Sequence, residues 1–555
     1  MSDTKMNRKL EWYVAGVLFF LLMARACAFG VEYWPQLDDY IQHHNYATGF
    51  TFFELCRMVG ILGSRPLAGV ADYFVWTPLF ECMILGVAII SALYVASALI
   101  LKRLMERYFQ VGPVFLVVMV LLPLGVEGTY WMSASSRVVC GLFFACLAAA
   151  AFGRWLDTGA APWALVFGVL ILIPFGFYEQ SAVFAMTLVL GMGILELSRH
   201  WKRSLLALWS IPAAAVYLGV TRLLSRQGLY ANRMELMLPT SDYYWDTFLP
   251  DILSQIKTVL LQGNFYTLAK GFVRGMRMVL SGELLLWFVV VLLLCGLLGW
   301  SAMKLPQSGW KLHPALAVVV GVLLTVAPLT PFLVLANPWF SARGAVTSFP
   351  GIALLCDLCL TGICKLIPLR SRGVATLSAA AALVFCVAGA SEIGDYRDTT
   401  MNDQSIAQLT VDTLSRDFPA VEETRMLRVG LLGVEASFLP NQNWFWHEHI
   451  HGCTESAWAF GGVLGYVAED DIILPSVTPL PTDPIYKRWN AQTNRPGGFD
   501  ALYYYDQGEK CLIPVRLEQT GEYDYNVYTE DGLEVGRIWE EADGIGYFRN
   551  SIKKD

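Results

Sequence analysis

The chain has 555 residues, of which 55% are hydrophobic and only 16% are charged, and its formal net charge is −7. Soluble globular proteins carry about 25% charged residues, so this composition excludes an ordinary soluble domain and indicates a polytopic membrane protein. It also argues against a nucleic-acid-binding protein, because the chain has no basic domain or basic tail.

Eleven apolar segments follow one another along the chain. Each is close to the roughly 20 residues that a helix needs to cross a bilayer. We predict spans at residues 11–29, 79–101, 111–127, 137–153, 163–178, 181–197, 204–222, 284–301, 314–335, 346–364 and 373–391. The basic start and the Ala26-Cys27-Ala28 sequence would also suit a cleaved signal peptide. The first apolar run is long for such a peptide, so we predict an uncleaved helix.

The lysines and arginines between the spans predict the orientation. Basic residues are concentrated in alternate segments: Lys5, Arg8, Lys9, Lys102, Arg103, Arg107, Arg154, Arg199, Lys202, Arg203, Lys304, Lys311, Lys365, Arg370 and Arg372. The short segments between them hold few, namely Arg57, Arg65, Arg137 and Arg343. Because cytoplasmic loops carry the excess of positive charge, we place the N-terminus inside and the C-terminus outside.

Four regions are then expected on the outer side, at residues 30–78, 127–133, 223–283 and 337–344. The first contains an acidic pair and a mostly apolar stretch at residues 50–62, which is typical of a helix lying on the bilayer surface. After the last span, residues 392–555 are polar, with short aromatic and β-branched runs between turn signals. They predict an α/β or mainly β domain outside the membrane.

Asp38 and Asp39 form the acidic pair and should lie about one turn beyond the first span. Two adjacent carboxylates repel each other, which favours proton uptake by one of them. Such a group is suited to act as a general base. The alternative is a solvated acidic loop without a catalytic role.

The sequence carries no P-loop and no other nucleotide-binding signature on a soluble strand-turn-helix unit. The predicted inner loops are also too short to hold a nucleotide-sugar domain. Chemistry at the acidic pair would occur on the outer side, where nucleotides are not normally supplied. An activated substrate would therefore have to arrive through the lipid.

A family resemblance follows from these features. The acidic pair directly after the first helix, in the sequence Trp34-Pro35-Gln36-Leu37-Asp38-Asp39-Tyr40, and the later Ser64-Arg65-Pro66-Leu67 resemble the GT-C class of integral membrane glycosyltransferases. Within that class the chain is most similar to bacterial O-antigen glucosyltransferases of the Gtr type.

The resemblance implies a GT-C-like transmembrane domain at residues 1–391, with a catalytic first outer loop at 30–78, and an outer soluble domain at 392–555. It further implies a multi-pass protein of the inner (cytoplasmic) membrane that uses a polyprenyl-phosphate-linked sugar as donor. A glycan or lipid would be the acceptor. A flippase and a donor-synthesising transferase would be its partners.

Site residues can be assigned from the chemistry that this reaction requires. We expect Asp38 or Asp39 to be the general base, with the neighbouring carboxylate orienting it or holding a divalent ion such as Mg²⁺ or Mn²⁺. Arg343, with its planar fork, is the first candidate for the lipid phosphate, and Arg65 and Arg137 follow. An interfacial arginine that snorkels is the alternative for Arg343.

Further members of the predicted substrate site are Tyr40, beside the acidic pair, and Glu179, at an outer helix end. An acidic residue near hydrocarbon is costly to bury unpaired, which makes Glu179 a functional candidate. A boundary residue in the headgroup zone is its alternative, and Glu127 has the same two interpretations.

The predicted outer domain offers two more candidate features. His447, His449 and His451 alternate in sequence, so on a strand they would share one face and could bind a metal; a polar strand face is the alternative. Cys453 and Cys511 are the two cysteines of this domain, and an oxidising compartment favours a disulfide between them.

Two other functions fit the same span pattern. A membrane polysaccharide polymerase or ligase would use a diphosphate-linked donor. A transporter or flippase of lipid-linked glycans belongs to a different class, in which ionisable groups lie near the middle of the bilayer. The acids here are concentrated at the predicted outer edge, which favours an enzyme over a transporter.

Overall fold

The computed structural model describes residues 2–63, 65–224, 235–305, 311–336, 338–364, 370–418, 427–434, 452–469, 472–480, 498–522, 524–540 and 546–550. The chain divides into two compact units. The first comprises Met1–Tyr33 and Phe50–Gly394, and the second comprises Trp34–Gly49 and Asp395–Asp555.

Helices make up most of the described chain. In order, the α-helices are α1 Ser2–Ala26, α2 Tyr46–Gly49, α3 Phe52–Met58, α4 Pro66–Ala71, α5 Met83–Met105, α6 Pro113–Leu121, α7 Val126–Tyr130, α8 Met132–Thr158, α9 Ala161–Leu170, α10 Ile173–Phe177, α11 Glu179–Leu195, α12 Leu197–Ser204, α13 Ser210–Leu224, α14 Leu249–Lys257, α15 Gly271–Leu280, α16 Leu285–Lys304, α17 Pro314–Val326, α18 Ala342–Ala345, α19 Phe349–Cys364, α20 Arg370–Asp417 and α21 Ala457–Val467. The π-helical segments are Tyr40–Asn45, Asp72–Trp76, Tyr244–Phe248, Thr258–Gly263 and Tyr266–Lys270. The 3₁₀ segments are Thr77–Cys82, Pro123–Gly125, Leu205–Trp209, Ala327–Leu333, Val346–Ser348 and Cys453–Glu455.

The first unit has the composition of a membrane domain. Within the described ranges, seven helices are long and apolar enough to cross a bilayer: Pro66–Met105, Met132–Thr158, Leu197–Leu224, Leu285–Lys304, Pro314–Leu333, Ala342–Cys364 and Arg372–Asp417. The pair Pro113–Leu121 and Pro123–Tyr130 would be an eighth if it is one bent span. The protein is therefore a polytopic helical membrane protein.

Each of the eleven predicted spans coincides with a helix. Besides the seven long helices and the bent pair, the predicted positions fall on α1 and on the shorter apolar helices Ala161–Phe177 and Glu179–Leu195. The number of eleven membrane crossings stays a prediction.

The bend at Leu122 has a local cause. Pro123 follows it, and proline lacks the N–H that would continue the helical hydrogen bonding. The two halves meet at 45°. The buried side chain of Arg25 donates from Nη1 to the Leu121 carbonyl (3.1 Å) and from Nη2 to Thr129 Oγ1 (3.3 Å). This arginine therefore joins α1 to both sides of the bend.

The second unit contains a seven-stranded sheet with the order β2-β1-β3-β4-β5-β6-β7. Its strands are β1 Arg428–Leu432, β2 Ser476–Pro479, β3 Ala501–Asp506, β4 Cys511–Gln519, β5 Asp524–Thr529, β6 Glu534–Glu540 and β7 Gly546–Asn550. β1 runs parallel to β2 and β3, and the remaining pairs are antiparallel. Since α21 lies between β1 and β2 in sequence, this unit is an α/β domain. Its core is formed by Leu432, Leu480, Leu502, Tyr504, Val527, Val535 and Ile538.

Helix α20 runs through the predicted domain boundary. Its 48 residues extend about 72 Å, whereas the hydrocarbon layer is about 30 Å thick. The apolar first half belongs to the first unit, and the polar half from Asp395 onward belongs to the second unit. Our predicted boundary at residue 391 marks the change in composition. The helix continues past it because no proline interrupts residues 391–417.

The first outer loop also differs from the prediction. We grouped residues 30–78 with the transmembrane domain, but the structure assigns Trp34–Gly49 to the second unit. The segment belongs there because it forms hydrogen bonds with the second half of α20.

Candidate active site

The acidic pair lies in a closed turn. The Asp39 amide donates to the Gln36 carbonyl (2.8 Å), and the Gln36 amide donates to Asp39 Oδ2 (3.0 Å). Between them, Leu37 has φ +40°, in the left-handed region that residues with a side chain rarely adopt. Such strain typically costs about 1–3 kcal/mol and persists only where the surroundings hold it.

The two carboxylates have different surroundings. Asp39 is fully buried, and one of its oxygens closes the turn. Asp38 is partly exposed, and its Oδ2 accepts from Gln42 Nε2 at 3.1 Å. Gln42 is four residues further along the helical segment, so both side chains share one face. Of the two, Asp38 is the carboxylate that a substrate can reach.

Helix α20 holds the start of this segment. Gln36 Nε2 donates to the Tyr396 carbonyl (3.0 Å) and to Thr400 Oγ1 (2.6 Å). Thr400 Oγ1 in turn donates to the Pro35 carbonyl (3.0 Å). These bonds bridge residues more than 350 positions apart, which explains why the segment belongs to the second unit.

Helix α21 holds the rest of the segment. The π-helical residues Tyr40–Asn45 pack against α21. A Cβ on Gly462 would lie only 2.6 Å from Ile41 Cδ1, so glycine allows this close approach. The rings of Tyr40 and Tyr466 are 5.3 Å apart, a favourable separation for an aromatic pair.

Tyr40 does not fit its predicted role in substrate binding. Its side chain is fully buried, and its hydroxyl accepts from Gln404 Nε2 at 3.1 Å. Burial raises the pKa of this phenol. We therefore correct the assignment: Tyr40 anchors the acidic segment to α20 and α21.

A second buried carboxyl lies next to the acidic segment and was not singled out from the sequence. Asp403, on the polar half of α20, is fully buried, and its Oδ2 accepts from the Cys453 amide at 2.7 Å. Burial raises the pKa of Asp403 to about 7 and also raises the pKa of the Cys453 thiol. No sequence feature distinguishes Asp403, because it is one of several acids spaced along a polar helix.

The predicted disulfide between Cys453 and Cys511 is not formed; both are free cysteines. Cys453 is buried against Asp403, whereas Cys511 opens β4 and pairs with Asp506 of β3. The two residues thus belong to different elements that pack for other reasons. The prediction was wrong because it rested only on the number of cysteines in the domain.

No metal site is assembled in the described part of the chain, where no group of three or more His, Cys, Asp or Glu side chains is placed to hold an ion. The predicted ligands His447, His449 and His451 lie outside the described residues. The alternative role of Asp38 and Asp39 as ligands of a divalent ion stays a prediction.

In the first unit, Arg65 and Glu179 bind each other. Arg65 Nε lies 3.1 Å and 3.2 Å from the two Glu179 oxygens, and Nη2 lies 2.9 Å from Oε2. The guanidinium also stacks 4.5 Å from the ring centre of Tyr178. This fork pairs the two charges, and the predicted role of either residue in binding the donor stays a prediction.

Arg137 is paired as well. Its Nη2 lies 2.8 Å from Oδ2 of the buried Asp72, whose Oδ1 accepts from Ser136 Oγ at 3.4 Å. Asp72 falls in the predicted first outer loop, at residues 30–78, but we did not select it from the sequence. The pair fixes this part of the loop to the start of α8.

Arg343 contacts Glu127 and Trp131. Its backbone amide donates to Oε1 of the buried Glu127 at 3.1 Å, and its guanidinium carbon lies 5.1 Å from the ring centre of Trp131. A Cβ on Gly128 would lie 3.0 Å from the Arg343 carbonyl oxygen, so the two backbones approach closely. The structure thus brings together the second and fourth predicted outer regions. Glu127 holds the backbone and Trp131 holds the guanidinium.

Asp357 is a buried acid within the predicted span 346–364. Its Oδ2 accepts from the Gly112 amide (2.7 Å) and its Oδ1 from the Phe115 amide (3.2 Å). It therefore satisfies amides that the first turn of α6 leaves open. An acid inside an apolar segment is a signal that sequence analysis could have used.

Comparison with known proteins adds no relative: the sequence matches no protein-family model, and no curated protein matches it. The resemblance to GT-C enzymes therefore rests on the acidic segment, the arginine at residue 65 and the span pattern.

Proposed function

We propose that this protein is a membrane glycosyltransferase that moves a sugar from a polyprenyl-phosphate donor to a glycan or lipid acceptor. The observation that supports this most is the difference between the two acidic residues. Asp39 is buried and closes the turn, while Asp38 is accessible and oriented by Gln42. A carboxylate presented on a strained and doubly anchored turn has the rigidity that a general base requires.

In the proposed reaction, an acceptor hydroxyl attacks the anomeric carbon of the donor sugar. The new bond forms between the acceptor oxygen and this carbon, and the bond from the carbon to the phosphate oxygen breaks. Asp38 takes the hydroxyl proton, and the polyprenyl phosphate leaves with the bonding electrons. Asp39 does not touch the substrate in this scheme and acts as a positioning residue.

Arg343 is the residue we propose for the donor phosphate. The stacking on Trp131 holds its guanidinium in place, which reduces the entropy lost when a phosphate binds. Charge-assisted bonds to phosphate are also stronger than neutral ones.

The cellular setting is part of the same proposal. The distribution of basic residues supports a protein of the cytoplasmic membrane with its acidic segment on the outer side. The donor would be made on the inner side by another transferase and carried across by a flippase. No nucleic acid takes part.

Transport of a lipid-linked glycan is the second candidate function. The bent pair Pro113–Leu121 and Pro123–Tyr130, with the buried Arg25 at its break, supports it. Transporters place discontinuous helices and ionisable groups at their substrate sites. The two proposals differ in whether a covalent bond to the sugar is broken.

The proposal is tested by Asp38→Asn and Asp39→Asn in cells, with glycan modification measured at matched membrane abundance. Loss of a general base should lower turnover by roughly 10²–10⁴-fold in the Asp38 variant. The Asp39 variant should lose stability first, because its carboxylate closes the turn. Glu32→Gln, at an exposed acid shortly before the turn, is the control and should retain activity. Full activity of the Asp38→Asn variant would show that Asp38 is not the general base.

A further inference from the structure

A continuous helical run at residues 242–280 is not explained by the proposed function. It contains α14, α15 and the three π-helical segments between residues 244 and 270. An α-helix of its 39 residues would extend about 58 Å, well above the hydrocarbon thickness of about 30 Å. It is also not among the helices that are apolar enough to cross a membrane. We call it the surface helix.

One face of the surface helix is buried at almost every fourth residue. The buried residues along it are Tyr244, Phe248, Ile252, Gln255, Thr258, Val259, Gly263, Thr267, Gly271, Gly275 and Val279. In a regular α-helix, a step of four residues turns the stripe by about 40°. The π-helical segments are wound less tightly and so compensate for this drift. They keep one face against the protein over the whole length.

The buried face contacts the ends of three apolar helices. Tyr244 Oη donates to the Leu333 carbonyl (3.0 Å), and Gln255 Oε1 accepts from the Phe340 amide (3.1 Å). A Cβ on Gly275 would collide with the Val387 carbonyl oxygen, so the two backbones approach closely. Leu333 ends one apolar helix, Phe340 precedes the next, and Val387 is near the end of the apolar half of α20. Chain direction places these three ends on one side of the membrane, so the surface helix lies across them.

The opposite face is exposed and largely apolar. Its exposed apolar side chains have between 49% and 81% of their surface accessible: Trp245, Leu253, Leu261, Phe265, Val273 and Leu280. Exposed Lys257, Lys270 and Arg277 lie among them, and exposed Asp242, Asp246 and Asp251 lie near the N-terminal end of the helix. An exposed apolar stripe of this length marks an interaction surface. Mixed with lysine and arginine, it has the composition of a helix in the bilayer interface.

We propose that the surface helix lies in the lipid headgroup layer, with this apolar stripe in contact with the upper acyl chains. Continuity favours lipid over a protein partner, because the apolar α16 begins five residues after Leu280 and exposes Leu285 and Leu286. The long side chains of Lys257 and Arg277 can reach lipid phosphates while their stems remain in the apolar zone. This inference does not depend on the glycosyltransferase proposal.

The test uses the full chain in vesicles of phosphatidylethanolamine and phosphatidylglycerol. A photoreactive benzoylphenylalanine is introduced at Phe265 or Val273 in the exposed stripe. The matched controls carry it at Gln262 and Ser254, which are also exposed but polar. After illumination, mass spectrometry measures lipid adducts and protein adducts at each position.

Lipid adducts at Phe265 and Val273 should exceed those at Gln262 and Ser254 several-fold. Equal lipid adducts at all four positions would overturn the proposal, and so would protein adducts alone at Phe265 and Val273. All four positions are exposed, so the probes should leave folding intact. The cross-linking readout needs no enzymatic activity. A negative result would therefore contradict the membrane contact of the surface helix without bearing on the proposed glycosyltransferase function.

Discussion

Replacing Asp403 with asparagine should change how the stability of the second unit depends on pH. Burial raises the pKa of Asp403 from 3.8 to about 7 in the folded protein. Because each pKa unit is worth about 1.4 kcal/mol, the ionised carboxylate costs at most about 4 kcal/mol of folding stability at pH 8. Asparagine keeps an oxygen that can accept from the Cys453 amide, but it cannot ionise.

The direction of the change in stability with pH follows from the raised pKa of Asp403. A carboxyl with a raised folded-state pKa binds its proton more tightly in the folded state than in the unfolded state. The stabilisation of the folded state by the protonated Asp403 carboxyl is therefore complete below about pH 4 and is lost as the pH rises through about 7. The wild-type unit should become less stable over this range relative to Asp403→Asn. For a unit of this size, the melting temperatures should move apart by roughly 10 °C.

Thermal unfolding of the purified full chain in detergent, followed by tryptophan fluorescence at several pH values, measures this difference. Asp412→Asn is the matched control, because Asp412 lies on the same helix but is exposed. It should follow the wild type. If the wild type and Asp403→Asn keep a constant separation between pH 4 and pH 8, the buried carboxyl is not coupled to folding as the structure indicates.

Three further predictions use local contacts. Gly462→Val should lower the free energy of unfolding by about 1–3 kcal/mol and reduce sugar transfer, because the new side chain collides with Ile41. Gly461 has open space around it, so the control Gly461→Val should have little effect on thermal unfolding or on sugar transfer. Asp357→Ala should lower the melting temperature by removing a cap worth about 1–2 kcal/mol, and Asp357→Asn should lower it less. Arg343→Ala should raise the KM for a polyprenyl-phosphate sugar more than the KM for the acceptor, and Arg343→Lys should restore part of the lost donor binding. An unchanged donor KM in Arg343→Ala would mean that the donor phosphate binds elsewhere.

The sequence predicted the membrane architecture well because apolar segments of span length are a direct signal. It also predicted a polar C-terminal domain containing strands, as the sheet from β1 to β7 shows. The signal is weaker where one helix has two environments. The change of composition at residue 391 predicted a boundary, yet α20 continues through it because no proline interrupts residues 391–417.

The site was predicted less completely, because its residues meet through contacts that are distant in sequence. The adjacent Asp38 and Asp39 look equivalent in the sequence, and only the fold buries one of them. Likewise, the contact of Glu127 with the backbone of Arg343 joins residues more than 200 positions apart. The disulfide prediction failed for the same reason, since cysteine number does not give distance.

The most direct test of the proposed function is a transfer assay with the purified protein in vesicles. The vesicles contain a polyprenyl-phosphate sugar with a labelled sugar, and a candidate acceptor glycan is supplied. We predict that the label appears on the acceptor with release of polyprenyl phosphate, and that Asp38→Asn abolishes this transfer while the donor still binds. If the labelled lipid instead crosses the bilayer intact at the same rate in the wild type and the Asp38 variant, and no sugar is transferred, the protein is a transporter and the proposed role of Asp38 is contradicted.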